Sequence, residues 1–476
     1  MRILFVTSEI HPLVKTGGLA DVSASLPAAL QSLGMDIRIL IPGYPGVLSG
    51  MKEAFECARL SEGSLLCGKM PDTGVPVYAI DHPIFRRGGG PYVDEQGLDW
   101  PDNAARFGLL SKTAALLASR HSPLEWKPEI VQGNDWQSGL APAFMHFSGS
   151  NARSMMTVHN LAFQGNFSRD WVGGLGLPPS SYSMHGVEFH GRFSFLKAGL
   201  YYSNTITTVS PSYAQEIQTP EMGCGMEGLL QHRRRDVHGI LNGIDLSEWS
   251  PERDGYLNVK YDESNLQSKI EIKRELQAGL GLERQDDAPL FGIVSRLTYQ
   301  KGLDLVHSCL DALFEQGAQI AVLGTGEKEY EQAFLRLAEK HPGRCSTSIG
   351  YDESLAHNIM AGADLFLMPS RFEPCGLNQM YGMRYGTPPV VRKTGGLADS
   401  VTDNETGFVF EKAEAGAFRE AISRAISCYR NREAFRNIQR SGMAKNFAWE
   451  KSARSYIALY ESLLSQGLST GPGFRI

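Results

Sequence analysis

What the chain lacks narrows the field first. Its seven cysteines are odd in number and scattered, with no CxxC and no Cys/His cluster. That pattern fits a reducing cytoplasm and points to no structural zinc site. No stretch approaches the ~20 apolar residues of a membrane span. The apolar run at the start ends by Val6, with Ser8-Glu9 close behind, and is too short for a signal peptide. A cytoplasmic location is therefore expected. Positive charge is not in excess: the formal net charge of −6 argues against a general nucleic-acid binder or a membrane-surface protein. Any anionic ligand must be held by locally placed cations and helix N-termini. The opening βαβ pattern carries no GxGxxG, so a nicotinamide dinucleotide is not indicated. Neither a Walker loop nor a paired-carboxylate magnesium site is evident, and no cofactor or metal is expected. Low-complexity tracts and short-period repeats are absent.

What is present suits a large soluble protein. At 476 residues, 42% hydrophobic and 21% charged, the chain has room for two or three domains with sizeable cores. The most informative stretch is Ser370 to Asp399, SRFEPCGLNQMYGMRYGTPPVVRKTGGLAD. Asp364 to Met368 is a short apolar run typical of a buried parallel strand. Pro369 stops it, and Glu373-Pro374-Cys375-Gly376 forms a turn at the strand's carboxyl end. Leu377, Met380, Tyr381 and Met383 recur at helical spacing, which predicts a helix from about Gly376 whose first N–H groups make an anion site. Pro389 to Val391 predicts another strand, and Lys393-Thr394-Gly395-Gly396 leads into the next helix in the same way. Ligands of open α/β sheets bind at such carboxyl ends.

The last seven residues of that stretch occur twice: Lys15 to Asp21 and Lys393 to Asp399 both read KTGGLAD. The plain reading is two glycine turns that let a backbone pass close by. The sharper one is two nucleotide-fold domains, each presenting a glycine turn to a shared cleft.

Along the chain, Ile3 to Val6 is a predicted strand, Ala20 to Leu33 a helix closed by Gly34, and Ile37 to Ile41 a second strand. Residues Arg86 to Phe107 are glycine-rich, acidic and aromatic without a period; Tyr92 and Trp100 argue that this long loop is packed. Glu129 to Gln132, Ser154 to Val158 and Ile206 to Val209 are further strands, each ending in a polar turn. Arg233 to Arg235 reads as a solvated surface run. Asn242 to Asp245 ends another strand, and Ser247 to Asn265 looks like a crossover. A second α/β series starts at Leu290 to Val294 and runs through Ile320 to Leu323. After Trp449 an amphipathic helix closes the chain, and Gly467 to Ile476 is expected to fray.

Several residues could carry chemistry. Arg296 and Lys301 lie five apart on a loop that leaves a strand and enters a helix at Gly302. An Arg fork and a Lys point charge there could both reach one diphosphate. Strand-exit loops also carry solvated Lys and Arg, but Lys15 and Lys393, each beside a Gly-Gly turn, add to the diphosphate reading. Glu373 is the best-placed carboxylate; otherwise it stabilises a helix N-terminus. Asp135 and His159 lie at comparable strand ends, although a single His is more often structural. Tyr351 could offer a ring to a base or be a core tyrosine. Cys375 has no basic partner in sequence and suits a packing or backbone role.

Together these segments closely resemble the bacterial glycogen synthases and plant starch synthases. The matching pieces are KTGGLADV, the Tyr92 to Phe107 loop, TVHNLAFQG, LNGID, SRLTYQKGLDL, LGTGE and SRFEPCGLNQMYGMRYG with the second KTGGLAD. They run in family order over nearly the whole chain, and the alanine after Leu19 looks like the bacterial branch. The resemblance implies an α/β fold of two doubly wound Rossmann-like domains facing across a deep cleft. The expected divisions are 1–245, 246–450, and a C-terminal helix from 451 that crosses back to the first domain. It also implies transfer of glucose from ADP-glucose to the non-reducing end of an α-1,4-glucan, with retention at C1 and no metal.

By position, the resemblance implies that Lys15 and the Gly17-Gly18 turn face the donor. Arg296 and Lys301 would hold the diphosphate, and Tyr351 would lie near the adenine. Glu373 with Cys375, Gly376 and Leu377 would hold the glucose and its phosphate, beside the Thr394-Gly395 turn. Asp135, His159 and Asn242 would line the sugar pocket. One departure is visible: the family's His-x-His-Asp-Trp is here Gln132-Gly133-Asn134-Asp135-Trp136, which puts a role for those two histidines in doubt. A glycoside hydrolase would need paired carboxylates and has no use for cation-rich turns. A non-catalytic nucleotide-sugar sensor would be free to lose Glu373.

Overall fold

The computed structural model describes residues 1–465; the Gly467–Ile476 tail lies outside the described residues. Two compact units divide the chain. One comprises residues 1–242 with the segment from Trp449, the other residues 243–448.

In the first unit the strands are β1 (Arg2–Val6), β2 (Asp36–Pro42), β3 (Lys52–Arg59), β4 (Ser64–Lys69), β5 (Pro76–Asp81), β6 (Ile130–Asn134) and β7 (Arg153–Val158). Three short strands, β8 (Asn166–Phe167), β9 (Glu188–Phe189) and β10 (Arg192–Ser194), make a separate small sheet. Two more, β11 (Thr205–Thr208) and β12 (Val237–Gly239), rejoin the main one, whose order is β12-β11-β7-β6-β1-β2-β5-β4-β3. Pairing is parallel from β12 to β5 and antiparallel through β4 and β3. The parallel strands are covered on both faces, which is why Ile3–Val6 and Ile37–Ile41 read as near-continuous apolar runs. The antiparallel edge escaped sequence reading because β3 is mostly exposed and lacks an apolar pattern. A bulge between Glu56 and Ala58 brings Cys57 beside Cys67 of the neighbouring strand, and the two form a disulfide. The expectation of uniformly reduced cysteines is corrected there.

The second unit has one all-parallel sheet of six strands: β13 (Leu290–Val294), β14 (Gln319–Gly324), β15 (Cys345–Ile349), β16 (Leu365–Met368), β17 (Pro389–Arg392) and β18 (Phe408–Phe410). Their order is β15-β14-β13-β16-β17-β18.

Both sheets are doubly wound, so both have a point where the strand order reverses. It lies between β1 and β6 in the first unit and between β13 and β16 in the second. At such a point the two flanking loops diverge to opposite faces and leave a crevice at the strands' carboxyl ends.

The closing helix, Trp449–Ser465, buries Trp449, Ala453, Tyr456, Tyr460 and Leu463 in the core of the first unit. Its Tyr460 hydroxyl donates to Gln132 Oε1 within that core. Some elements differ from expectation. The helix expected from Gly376 starts at Asn378, and the Arg86–Phe107 loop is irregular only as far as Asp102, because Asn103–Leu117 is helical. Asn242 to Asp245 does not end a strand: β12 stops at Gly239, and Ile244 makes an isolated bridge to Ala448.

Arg233 is the clearest correction. It is buried, not solvated. Its guanidinium donates to the Leu200 and Asn204 carbonyls and makes two bonds of 3.0 and 3.1 Å to Asp236 Oδ2. The fork thus satisfies carbonyls at the end of helix Phe195–Tyr202, whose last turn has no other cation. Arg233→Ala leaves those acceptors buried and should cost about 2–3 kcal/mol, read as a lower urea midpoint for the first unit. Arg233→Lys should recover only part of the loss, since an ammonium cannot reproduce the fork.

Candidate active site

In the first unit the candidate residues gather at the carboxyl ends of three adjacent strands, β1, β6 and β7. The loop after β1 is shaped by Glu9, a buried carboxylate that sequence reading passed over. Its Oε2 accepts the backbone N–H groups of Thr16 (2.6 Å) and Gly17 (3.0 Å), and Oε1 accepts the Tyr92 hydroxyl. Tyr92 also bonds Ser8 Oγ at 2.8 Å, so the long aromatic loop is packed as expected. Lys15 pairs with Asp21 at 2.8 Å and remains exposed.

After β6, Asp135 adopts φ 53°, ψ −177°, a region that is essentially reserved for glycine and costs of order 1–3 kcal/mol. Its Oδ1 accepts the His159 backbone N–H at 2.7 Å. The His159 ring meets Asn134: Nε2 lies 3.0 Å from Asn134 Oδ1, while Asn134 Nδ2 donates to the Val6 carbonyl at 3.0 Å. Because the amide nitrogen is committed to Val6, the oxygen faces the ring, and His159 carries its proton on Nε2. Asn134 therefore orients His159. Burial pushes the Asp135 carboxyl up to about 7, against the backbone N–H groups of His159 and Asn160 that favour the anion. Burial also pushes His159 down to about 4, so the ring is neutral at physiological pH. Asn242, which ends the first segment of this unit, is buried, and its Oδ1 has no hydrogen-bond partner among the described residues.

In the second unit the loops after β13 and β16 are joined across the switch point. Gln300 accepts the Arg371 N–H at 2.8 Å and donates through Nε2 to the Phe372 carbonyl at 3.1 Å. The centre of the contact is an ion pair. Lys301 Nζ lies 2.6 Å from Glu373 Oε2, which also accepts Ser370 Oγ at 2.9 Å. The side chains of both Lys301 and Glu373 are largely buried, at 17% and 9% exposure. Arg296 is exposed, and among the described residues its side chain reaches Gln300 alone, at 3.3 Å. Arg371, unremarked in sequence, binds both oxygens of Asp304 at 2.8 Å and stacks on Tyr299. Tyr351 is 77% exposed, so it is no core tyrosine. Cys375 is buried, and its carbonyl accepts Gln379 Nε2 at 3.1 Å. Gly376 has φ 70°, Leu377 caps the helix from Asn378, and the buried Thr394 stands at the start of helix Gly395–Ser400.

The two KTGGLAD copies turn out to play different structural parts. In the second, Gly395 and Gly396 are buried against the Glu373–Cys375 turn, and a Cβ on either would overlap a backbone oxygen. In the first, Gly17 and Gly18 are exposed, with nothing within 4 Å of where a Cβ would stand, and Gly17 is extended at φ −156°. Close backbone passage thus accounts for the second copy only. Gly17→Ala should leave stability within about 0.5 kcal/mol of the parent. Gly396→Ala should destabilise the second unit by more than about 2 kcal/mol, both by thermal unfolding.

The shifts at Asp135 and His159 oppose one another. Asp135 binds its proton more tightly folded than unfolded, so its term weakens the fold as pH rises from about 4 to 7. His159 binds its proton less tightly folded, so its term weakens the fold as pH falls from about 6.5 to 4. Relative to the parent, Asp135→Asn should therefore lose stability more steeply on acidification between pH 7 and 4, and His159→Gln less steeply. Melting temperatures across that range check the two signs.

The chain matches two family descriptions: "Starch synthase catalytic domain" over residues 2–232 and "Glycosyl transferases group 1" over residues 281–441. It is 52% identical to a glycogen synthase of Nitrosomonas eutropha, covering 98% of this chain and 97% of that one. A glycogen synthase of Paramagnetospirillum magneticum is 50% identical, with 99% of each covered. Among solved structures, the catalytic domain of starch synthase IV from Arabidopsis thaliana, bound to ADP and acarbose, superposes with a TM-score of 0.87. Its sequence is 32% identical, covering 98% of this chain and 99% of that one. A sucrose-phosphate synthase from Thermosynechococcus elongatus shares the fold, with a TM-score of 0.61 at 17% identity over 98% and 99% of the two chains.

Proposed function

The chain belongs to the glycogen synthase and starch synthase family, and we propose that it moves glucose from ADP-glucose to the non-reducing end of an α-1,4-glucan, with retention at C1. The observation that carries this reading is the Lys301–Glu373 pair across the β13/β16 switch point. It sets a cation and a carboxylate side by side at the kind of crevice where open α/β sheets bind their ligands.

Breaking the bond between C1 and phosphate builds positive charge on the sugar ring and negative charge on the departing diphosphate. Lys301 and Arg296 are assigned to that diphosphate, where preplaced cations stabilise the developing charge. Glu373 keeps Lys301 in place and anchors sugar hydroxyls, with Cys375, Gly376, Leu377 and the Thr394-Gly395 turn shaping the same wall through their backbone. Tyr351, exposed as a stacking ring must be, is assigned to the adenine. Lys15 with the open Gly17-Gly18 turn is assigned to the donor, and neutral His159, Asp135 and Asn242 to the sugar. The segment 1–245 then serves the acceptor and part of the donor, 246–450 binds the nucleotide sugar, and the helix from 451 completes the first part. A cytoplasmic location belongs to the same reading, and the Cys57–Cys67 bond pulls the other way.

For Glu373 the proposal favours acceptor attack on the face the diphosphate leaves, with the diphosphate taking the acceptor's proton. A carboxylate locked to Lys301 on the phosphate side is poorly placed for backside attack. Arg296→Ala and Lys301→Ala should each cost about 2–4 kcal/mol of transition-state stabilisation, roughly 30- to 1,000-fold in ADP release from ADP-glucose with glycogen. Activity within about threefold of the parent in both variants would sink the diphosphate assignment. Glu373→Gln should keep donor binding within about tenfold yet lose most turnover, and azide should not rescue it to an inverted glucosyl azide. A glucosyl ester trapped on Glu373 by mass spectrometry would overturn this account.

A further inference from the structure

Away from the switch-point loops, the second unit carries a cluster that the proposed reaction does not use. Glu248 stands on the segment that opens the unit, and Glu353 and His357 lie four apart on the helix Glu353–Gly362. One ligand atom from each of the three falls within 4.8 Å of the others. Residues four apart on a helix share a face, so the helix offers two donors to one point.

His357 is what makes this more than an acidic patch. Its side chain is fully buried. Nδ1 is bonded to Asp254 Oδ2 at 2.7 Å, and the ring is stacked under Trp249 with centroids 3.8 Å apart. Ring orientation is therefore fixed, and Nε2 is turned toward Glu353 Oε1, with Glu248 in the same cluster. Nε2 makes no well-aligned hydrogen bond among the described residues; it is ion-paired with Glu353 Oε1 at 3.4 Å. Two ligands about 2.0–2.1 Å from one tetrahedral ion lie about 3.3 Å apart. The spacing is long for a hydrogen bond and right for a shared metal. Behind it, Asp254 accepts from the far side of the ring as the outer carboxylate of a carboxylate–histidine–metal triad does. Asp254 is itself held by the Tyr385 hydroxyl. Glu353 Oε2 accepts the Tyr351 hydroxyl, which leaves Oε1 turned toward His357.

We propose that Glu248, Glu353 and His357 form a divalent-cation site, zinc by its donor set, that ties the opening segment of the second unit to the helix Glu353–Gly362. Imidazole with two carboxylates suits zinc, and three protein ligands leave a fourth position for water. The rival occupant is a proton. Burial disfavours a charged ring, but Asp254 and Glu353 outweigh it and push His357 up to about 9. Zinc must displace that proton, as metals do from their ligands. The cysteine pattern could not reveal such a site, because it contains none.

The test is zinc titration of the full chain after removal of metal by chelation, by calorimetry at pH 8, with cobalt as a spectroscopic stand-in. His357→Asn removes a buried ring and its Asp254 bond and can unfold the unit, so the partly exposed carboxylates are varied instead. The expected result is one zinc per chain, with affinity at least tenfold weaker in both Glu248→Gln and Glu353→Gln. The cobalt spectrum of a near-tetrahedral site should vanish in the same variants. No zinc bound at 100-fold molar excess, or less than tenfold loss in either variant, overturns the proposal. Glucosyl transfer is not the readout, so the outcome is independent of the reaction assigned above.

Discussion

The second unit depends most on the contact between the loops after β13 and β16. Diverging loops at a switch point are pulled apart by the sheet's topology, and something must hold their tips in register. Here that is the Lys301–Glu373 pair with Ser370, reinforced by Gln300 against the neighbouring backbone. A buried ion pair is a weak source of net stability, because desolvation offsets much of the attraction. Its value is positional: neither charge can wander without leaving the other buried and unpaired. Gly395 and Gly396 then pack against the backbone of the same Glu373 turn from β17. Three strand-end loops are thus locked into one surface.

This arrangement also explains what the sequence could and could not disclose. Buried parallel strands announce themselves as short apolar runs, so β1, β2, β13, β14, β16 and β17 were legible to within a residue or two. The mostly exposed β3 and the half-buried β4 carry no such signal. Loop residues with unusual composition, such as Glu373 and Lys301, could be picked out, but their ion pair spans 72 positions and has no local trace. Glu9 was hidden for a related reason. A lone glutamate after a strand looks solvated, and only the fold turns it onto the Thr16 and Gly17 amides. Arg233 shows the converse error. Three arginines in a row read as a surface run, yet the first is buried because a helix end needed donors.

The repeated heptapeptide teaches a narrower lesson. Identical sequence in two places implied identical duty, but the surroundings assign different work to each copy. The second copy has its glycines because a backbone lies against them; the first has no such neighbour. Even the lysines differ in partner: Lys15 turns to Asp21 within its own motif, whereas Lys393 turns to Glu411 outside it. Steric need explains glycine only where there is something to avoid. Within the described residues, the first copy has no steric neighbour that calls for its glycines.

Asp135 completes the argument from strain. A non-glycine residue at φ 53°, ψ −177° is held there against its own preference. The constraints are visible: its N–H is committed to the Thr157 carbonyl at 2.9 Å and its Oδ1 to the His159 N–H at 2.7 Å. Glycine would relieve the backbone but lose the carboxylate, and with it the tether that sets where His159 begins. The strain is thus the cost of placing a carboxylate and a neutral imidazole at adjacent strand ends with both orientations fixed. Asn134 adds the last constraint, since its amide reads the Val6 carbonyl on one side and the His159 ring on the other. An asparagine does here what orientation requires of any residue at that position: one donor for β1 and one acceptor for the ring. That is how this chain, with asparagine at position 134, fixes the ring of His159.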